Sequence, residues 1–181
     1  MAAPLDRGDA GMTLTTELVP GADPVEGRTT PVVAADHAAL LASPDPAIAA
    51  NKQLCYDMYR IVLQAGHADR AADYVTADYI QHNPNVASGP GPLAEFIRAS
   101  RPERAIKDRI DLPLVSIIAE RDMVLFAFVR PEREADGSVY HTSWFDLFRI
   151  ADGKIAEHWD PALKAPEMLR IDPNERRLRP E

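Results

Sequence analysis

Three residues near the end of this chain, Asp146, His158 and Asp160, have side chains suited to moving protons. A carboxylate beside an imidazole fixes which ring nitrogen carries hydrogen. A second carboxylate close by, in an apolar pocket, is pushed toward its neutral form. Such a group can take a proton from carbon next to a carbonyl, or activate a water, near neutral pH. This chemistry requires the three side chains to share one face.

The elements that must place them are two β-type runs, residues 142–150 and 154–159, on either side of Asp152-Gly153, so the unit reads as a β-hairpin. A three-residue loop, Ala151-Asp152-Gly153 with Gly153 in the left-handed region, pairs Ile150 with Lys154, Phe148 with Ala156, Asp146 with His158 and Trp144 with Asp160. A two-residue Asp-Gly loop sets Asp146 opposite Trp159 instead. The three-residue loop is preferred because it gathers Trp144, Asp146, Phe148, His158 and Asp160 on one face. Asp146 and His158 are then within hydrogen-bonding reach, with Asp160 diagonal to Asp146 at about 7–8 Å. Two blander readings compete: a buried Asp-His pair can be structural, and Asp160-Pro161 is also a strand-ending turn signal.

Length and composition limit the rest. With 181 residues, 46% of them hydrophobic, the chain supports one core with tails. A net charge of −8 argues against nucleic-acid or anionic-membrane partners. A single cysteine, Cys55, rules out an intramolecular disulfide and a cysteine-based zinc site. It reads as a small apolar helix residue. No basic segment followed by an apolar run opens the chain, and no stretch is apolar enough to span a bilayer, so a cytoplasmic location is expected.

In chain order, residues 1–42 read as a partly flexible arm with a short helix over 34–41, residues 43–163 as the domain, and 164–181 as a polar tail. Ser43-Pro44-Asp45-Pro46 starts a helix that runs to about Ala65 and stops at Gly66, with Leu54, Met58, Ile61, Val62 and Ala65 on its apolar stripe. A shorter helix covers 67–75, and a third covers 93–100 with Leu93, Phe96 and Ile97 inward. Strands follow at 106–119, 123–130, 139–150 and 154–159. Pro113 marks the first as bulged or at an edge. The run 123–129 is apolar on both faces, which requires cover on both sides. Helices first and antiparallel strands after is an α+β layout. His37 and His67 lie in surface-type sequence, and His141 points away from Asp146.

Tyr79-Ile80-Gln81-His82-Asn83-Pro84-Asn85, followed far downstream by Phe145-Asp146-Leu147-Phe148-Arg149 and Asp152-Gly153-Lys154-Ile155-Ala156-Glu157-His158-Trp159-Asp160, resembles the SnoaL-like, polyketide cyclase-like group of the nuclear transport factor 2-like superfamily. The resemblance covers residues 51–160. It implies a cone formed by a curved antiparallel sheet, closed at one end by N-terminal helices and enclosing a ligand cavity that needs no cofactor. Asp160 matches an acid/base aspartate of polyketide cyclases and limonene epoxide hydrolase. Asp146 stands where the cyclases have histidine, and His82 where the epoxide hydrolase has a water-positioning asparagine. The strand reading Phe126-Ala127-Phe128 lacks a histidine that relatives often carry, which makes the expected cavity more apolar.

The resulting expectation is a cofactor-free lyase or isomerase for a small hydrophobic carbonyl compound. Asp160 acts as base beside His158 and Asp146, His82 and Tyr79 serve as donors to an enolate, and Phe126, Phe128, Trp144 and Phe148 form the pocket wall. Epoxide hydrolysis begins from the same constellation. The other reading is a non-catalytic ligand-binding or dimerisation module. A metal site from His82, His158 and Asp160 is disfavoured, since no His-x-x-x-His pair is present. His141, Phe145, Leu147 and Trp159 fall on the outer face, where a homodimer contact is expected.

Overall fold

The computed structural model describes residues 16–18 and 32–175. The expectations for most of the N-terminal arm and for the last residues of the tail lie outside that range. Among the described residues no helix is long and apolar enough to cross a membrane.

Asp45 begins the main helix as expected. Its side chain accepts from the Ala47 and Ile48 main-chain nitrogens and Pro46 fills the first position, so α2 (Pro46–Met58) starts with its exposed donors satisfied. It continues as a π-helical turn, Tyr59–Gln64, in which Ala65 N donates to Arg60 O, and ends before Gly66 at φ +77°. The wider turn broadens the buried face, which takes in Cys55, Tyr56, Met58, Tyr59, Ile61, Val62 and Ala65. A 3-10 turn and the short α3 (Ala71–Tyr74) precede β3 (Val75–Gln81), so Val75 opens a strand where the sequence reading ended a helix with it. In α4 (Pro90–Ser100) Leu93 and Ile97 are inward as expected, but Phe96 is 39% exposed, and Ala94 fills the inward position instead.

The main sheet holds β3, β4 (Leu114–Glu120), β5 (Met123–Arg133), β6 (Val139–Ala151) and β7 (Lys154–Trp159) in the order β3-β7-β6-β5-β4. This is a curved five-stranded sheet in an α+β fold. It is antiparallel except where β3 runs parallel to β7, an amendment to the antiparallel sheet expected. Residues 106–113 are not strand. Pro113 precedes β4, which is both the edge strand and bulged between Leu114 and Ser116. β5, between β6 and the edge strand, buries Val124, Phe126 and Phe128 on the inner face. There Tyr59 stacks on Phe126 with centroids 5.9 Å apart, joining helix and sheet into one core.

The arm reaches further into the domain than its composition suggests. β1 (Thr16–Leu18) pairs with β2 (Val32–Ala34), and Ala34 and Leu40 are core residues. Asp36 caps α1 (His37–Leu41), while Arg109 donates to the carbonyls of Ala34 and Ala35 and pairs with Glu17 at 2.8 Å. His37, expected at the surface, is 7% exposed, with Nδ1 2.7 Å from the Tyr56 hydroxyl. Nothing in the local pattern of α1 signals that contact, which is made by a residue of another helix. At the other end Asn85 bonds to Leu163 O and Ala165 N, and Ser88 N donates to Asn174, so the chain after 163 is held against the 83–88 loop.

Candidate functional site

The hairpin sets the site, and its register differs from the preferred reading. Ala151 pairs with Lys154, leaving a two-residue turn in which Asp152 and Gly153 both have positive φ, 50° and 71°. That is the type I′ geometry which matches strand twist. Ile150 pairs with Ile155, after which the register shifts, and Arg149 pairs with Glu157 and Phe148 with His158. Ala156 is therefore an extra residue, a β-bulge. A two-residue turn alone would have turned His158 outward, and the bulge returns it to the inner face with Trp144, Asp146 and Phe148. Ile155 and Ala156 are accordingly both buried in succession. Asp146 is thus diagonal to His158 rather than opposite it, yet His158 Nε2 and Asp146 Oδ1 are 3.1 Å apart.

Around this pair the hydrogen bonds are nearly complete. Asp146, 4% exposed, accepts from Trp144 Nε1 at 3.1 Å and from the Tyr59 hydroxyl at 3.2 Å. Burial first, and then the Asp146 charge, hold the Tyr59 phenol well above its ordinary value, so it stays a donor. His158 Nδ1 lies 2.8 Å from Gln81 Oε1, and Gln81 Nε2 donates to the Tyr79 hydroxyl at 3.0 Å. Phe148 lies against the imidazole, with centroids 4.9 Å apart. Asp160, half-buried just past the end of β7, accepts from Asn83 Nδ2 at 2.7 Å and from Ala162 N at 3.0 Å. The latter is the strand-ending turn that its Asp-Pro sequence signalled.

Asp146, His158 and Asp160 each present an atom within 4.8 Å of the others. A small cation would find its donors here among the described residues. Asp146 accepts from Trp144 and Tyr59, Asp160 accepts from Asn83, and His158 bonds to Gln81, bonds that fix the direction of each side chain whether it moves a proton or holds an ion.

His82 is not brought to the site. Neighbouring strand residues point to opposite faces, and Gln81 takes the inner one. His82 lies outside, 2.9 Å from Glu157 and stacked on Trp159 at 4.4 Å between centroids. The His82 bond first, and then the Arg149 guanidinium, hold the Glu157 carboxyl below its ordinary value. Tyr79, Phe126, Phe128 and Phe148 are all inner-face core residues, and Trp144 is half-buried under the Arg130 guanidinium, 4.1 Å away. Three members of the site escaped the sequence reading. Tyr59 was hidden in an apolar helix stripe, and Gln81 and Asn83 stood beside a more conspicuous histidine. The two-residue spacing of Tyr79, Gln81 and Asn83, which puts them on one face of an extended chain, was the available signal.

The chain belongs to the SnoaL-like domain family, which matches residues 56–158. Among solved structures it is similar to TsrD from Streptomyces laurentii at 25% identity, covering 65% of this chain and 90% of that one with a TM-score of 0.45. A candidate SnoaL-like polyketide cyclase from Jannaschia sp. CCS1 is 15% identical over 66% of this chain and 91% of that one, with a TM-score of 0.47. An LEH-like epoxide hydrolase from M. tuberculosis is 15% identical over 61% and 80%, with a TM-score of 0.45. No curated protein matches the chain significantly.

Proposed function

We propose that the protein is a cofactor-free acid/base catalyst for a small hydrophobic carbonyl compound, of the lyase or isomerase type. Asp160 takes a proton from the carbon next to the carbonyl. The enolate oxygen accepts from the Tyr79 hydroxyl, which already receives Gln81 and keeps its own hydrogen. The proton on Asp160 then returns to another carbon in a double-bond shift, or to the new alkoxide in an aldol-type ring closure. The observation that carries this reading is the convergence of Asp146, His158 and Asp160 within 4.8 Å, with Asp160 alone of the three at the solvent edge. The same groups suit activation of water, so epoxide hydrolysis is the nearest variant. The protein is read as a cytoplasmic homodimer.

The test is exchange of α-hydrogens for deuterium in a panel of hydrophobic ketones and 1,3-dicarbonyl compounds in heavy water, followed by NMR. Wild type accelerates exchange for at least one compound, and Asp160→Asn abolishes it while ligand binding survives. Unchanged exchange in that variant would sink the proposal.

One observation favours a second reading, a non-catalytic binding or dimerisation module. Tyr59, Tyr79, Phe126, Phe128 and Phe148 fill the inner face, each at most 7% exposed. Two surface clefts, of about 290 and 280 Å³, are lined by other residues, His37 and Arg109 in one and Arg98 and Arg101 in the other. Ligand binding with no exchange in any compound would support it.

A further inference from the structure

Two side-chain amides at the site have their orientations fixed by main-chain donors. Asn83 N donates to Gln81 Oε1 at 3.0 Å, and Asn85 N donates to Asn83 Oδ1 at 2.9 Å. A main-chain N–H can only donate, so the atom it meets in each amide must be the oxygen. Flipping Gln81 would set its NH₂ against the Asn83 N–H. Flipping Asn83 would set its NH₂ against the Asn85 N–H, and its oxygen against the Asp160 carboxylate.

The consequence passes along the chain of bonds. With Gln81 Oε1 held in place, His158 Nδ1 faces an acceptor at 2.8 Å and must carry hydrogen. The exchangeable proton of the ring is then confined to the Nε2 side, between His158 and Asp146 Oδ1. Both ring nitrogens are engaged, so the imidazole has none free for a substrate. Asp160 receives two donors, Asn83 Nδ2 and Ala162 N, out of about four acceptor positions on a carboxylate.

We infer that Gln81, locked by the Asn83 main chain, is the positioning residue that sets the tautomer of His158, so that the imidazole acts only through Asp146 and Asp160 is the carboxylate left open to a substrate. The last clause rests on the proposed function, and the tautomer does not. Among the described residues no other group faces Nδ1 within hydrogen-bonding distance, so the assignment depends on this one amide.

The experiment is a two-bond proton–nitrogen correlation spectrum of the ¹⁵N-labelled full chain at pH 7.5, with the His158 ring assigned from its loss in His158→Asn. Wild type is expected to show a protonated Nδ1. Gln81→Glu, which keeps an oxygen at the same place, retains that signature. Gln81→Met, which offers no oxygen, moves Nδ1 to the unprotonated range. A wild-type spectrum with a bare Nδ1 overturns the inference, as does a folded Gln81→Met identical to wild type. Should Gln81→Met fail to fold, wild type and Gln81→Glu still decide the matter. No substrate enters this measurement, so its failure is distinct from an absence of turnover.

Discussion

The Tyr59 hydroxyl donates to Asp146 Oδ2 at 3.2 Å, tying the π-helical turn to a hairpin 87 residues further along the chain. Removing that oxygen while keeping the ring leaves the stacking on Phe126 and Phe128 intact. Tyr59→Phe should cost about 1–2 kcal/mol, because a buried carboxylate loses one of its donors. Urea unfolding gives the difference, and a midpoint equal to wild type would show that the bond is absent in solution.

Cys55 is fully buried, and burial pushes its thiol far above the ordinary range. The native protein should resist an aromatic disulfide reagent at pH 8 and react once per chain only on unfolding. Prompt labelling under native conditions would contradict the packing of α2.

His37 makes stability depend on pH. Burial first, and then the Arg109 charge, lower its proton affinity below the ordinary value of 6.5. Ile110 N donates to the Tyr56 oxygen at 3.1 Å, so the Tyr56 hydrogen goes to His37 Nδ1 and the ring is neutral. The unfolded chain therefore binds more protons than the folded one just below pH 6.5. This contribution is complete above 6.5 and is lost as the pH falls toward the depressed folded value. Thermal melts should drop in midpoint over that window, and His37→Phe should flatten the drop.

Gly66 and Gly153 have nearly the same φ, +77° and +71°, in different surroundings. A Cβ on Gly153 meets nothing within 4 Å, whereas on Gly66 it lies 2.8 Å from the Pro102 carbonyl oxygen. Gly153→Ala should cost about 1–2 kcal/mol from conformation alone. Gly66→Ala should cost clearly more, and equal losses in denaturant titrations would refute the close approach to Pro102.

On the outer face the register aligns Ile118, Leu125, Leu147 and Trp159 in one row across four strands, with Ile118 59% and Phe145 45% exposed. This is the surface that the proposed homodimer would cover. The proposed homodimer predicts that Ile118→Lys with Phe145→Glu yields monomers in sedimentation while the far-UV spectrum is unchanged. A wild-type monomer at micromolar concentration would exclude this face as the contact.

The capped start of α2 and the shared face of Trp144, Asp146, Phe148 and His158 were legible because each depends on residues close in sequence, whereas the run 123–129, read as covered on both faces, is fully buried only at Val124, Phe126 and Phe128. The π turn was not, since no residue type marks a single wide turn within an apolar helix. The hairpin register was misread because a turn and a bulge cancel, so the correct face followed from an incorrect count. His82 drew attention by its chemistry, whereas its direction depends on a parity that only the pairing of β3 with β7 fixes. The burial of His37 goes with its bond to Tyr56 on another helix, which no local pattern connects to it.

In genetic terms, the hairpin contains a frameshift and its suppressor. Ala156 is the insertion that would move the end of β7 out of phase with β6, and its exclusion from the ladder moves it back. Deleting Ala156 would leave a regular ladder in which Ile155 still faces Ile150, Glu157 faces Arg149 and His158 faces Phe148, so both faces of the strand would be kept. Taking Ala156 into the ladder opposite Arg149 would instead set Glu157 against Phe148 and turn His158 out opposite Leu147. The polar centre of this protein therefore depends on where an alanine stands in the backbone, and not on its side chain.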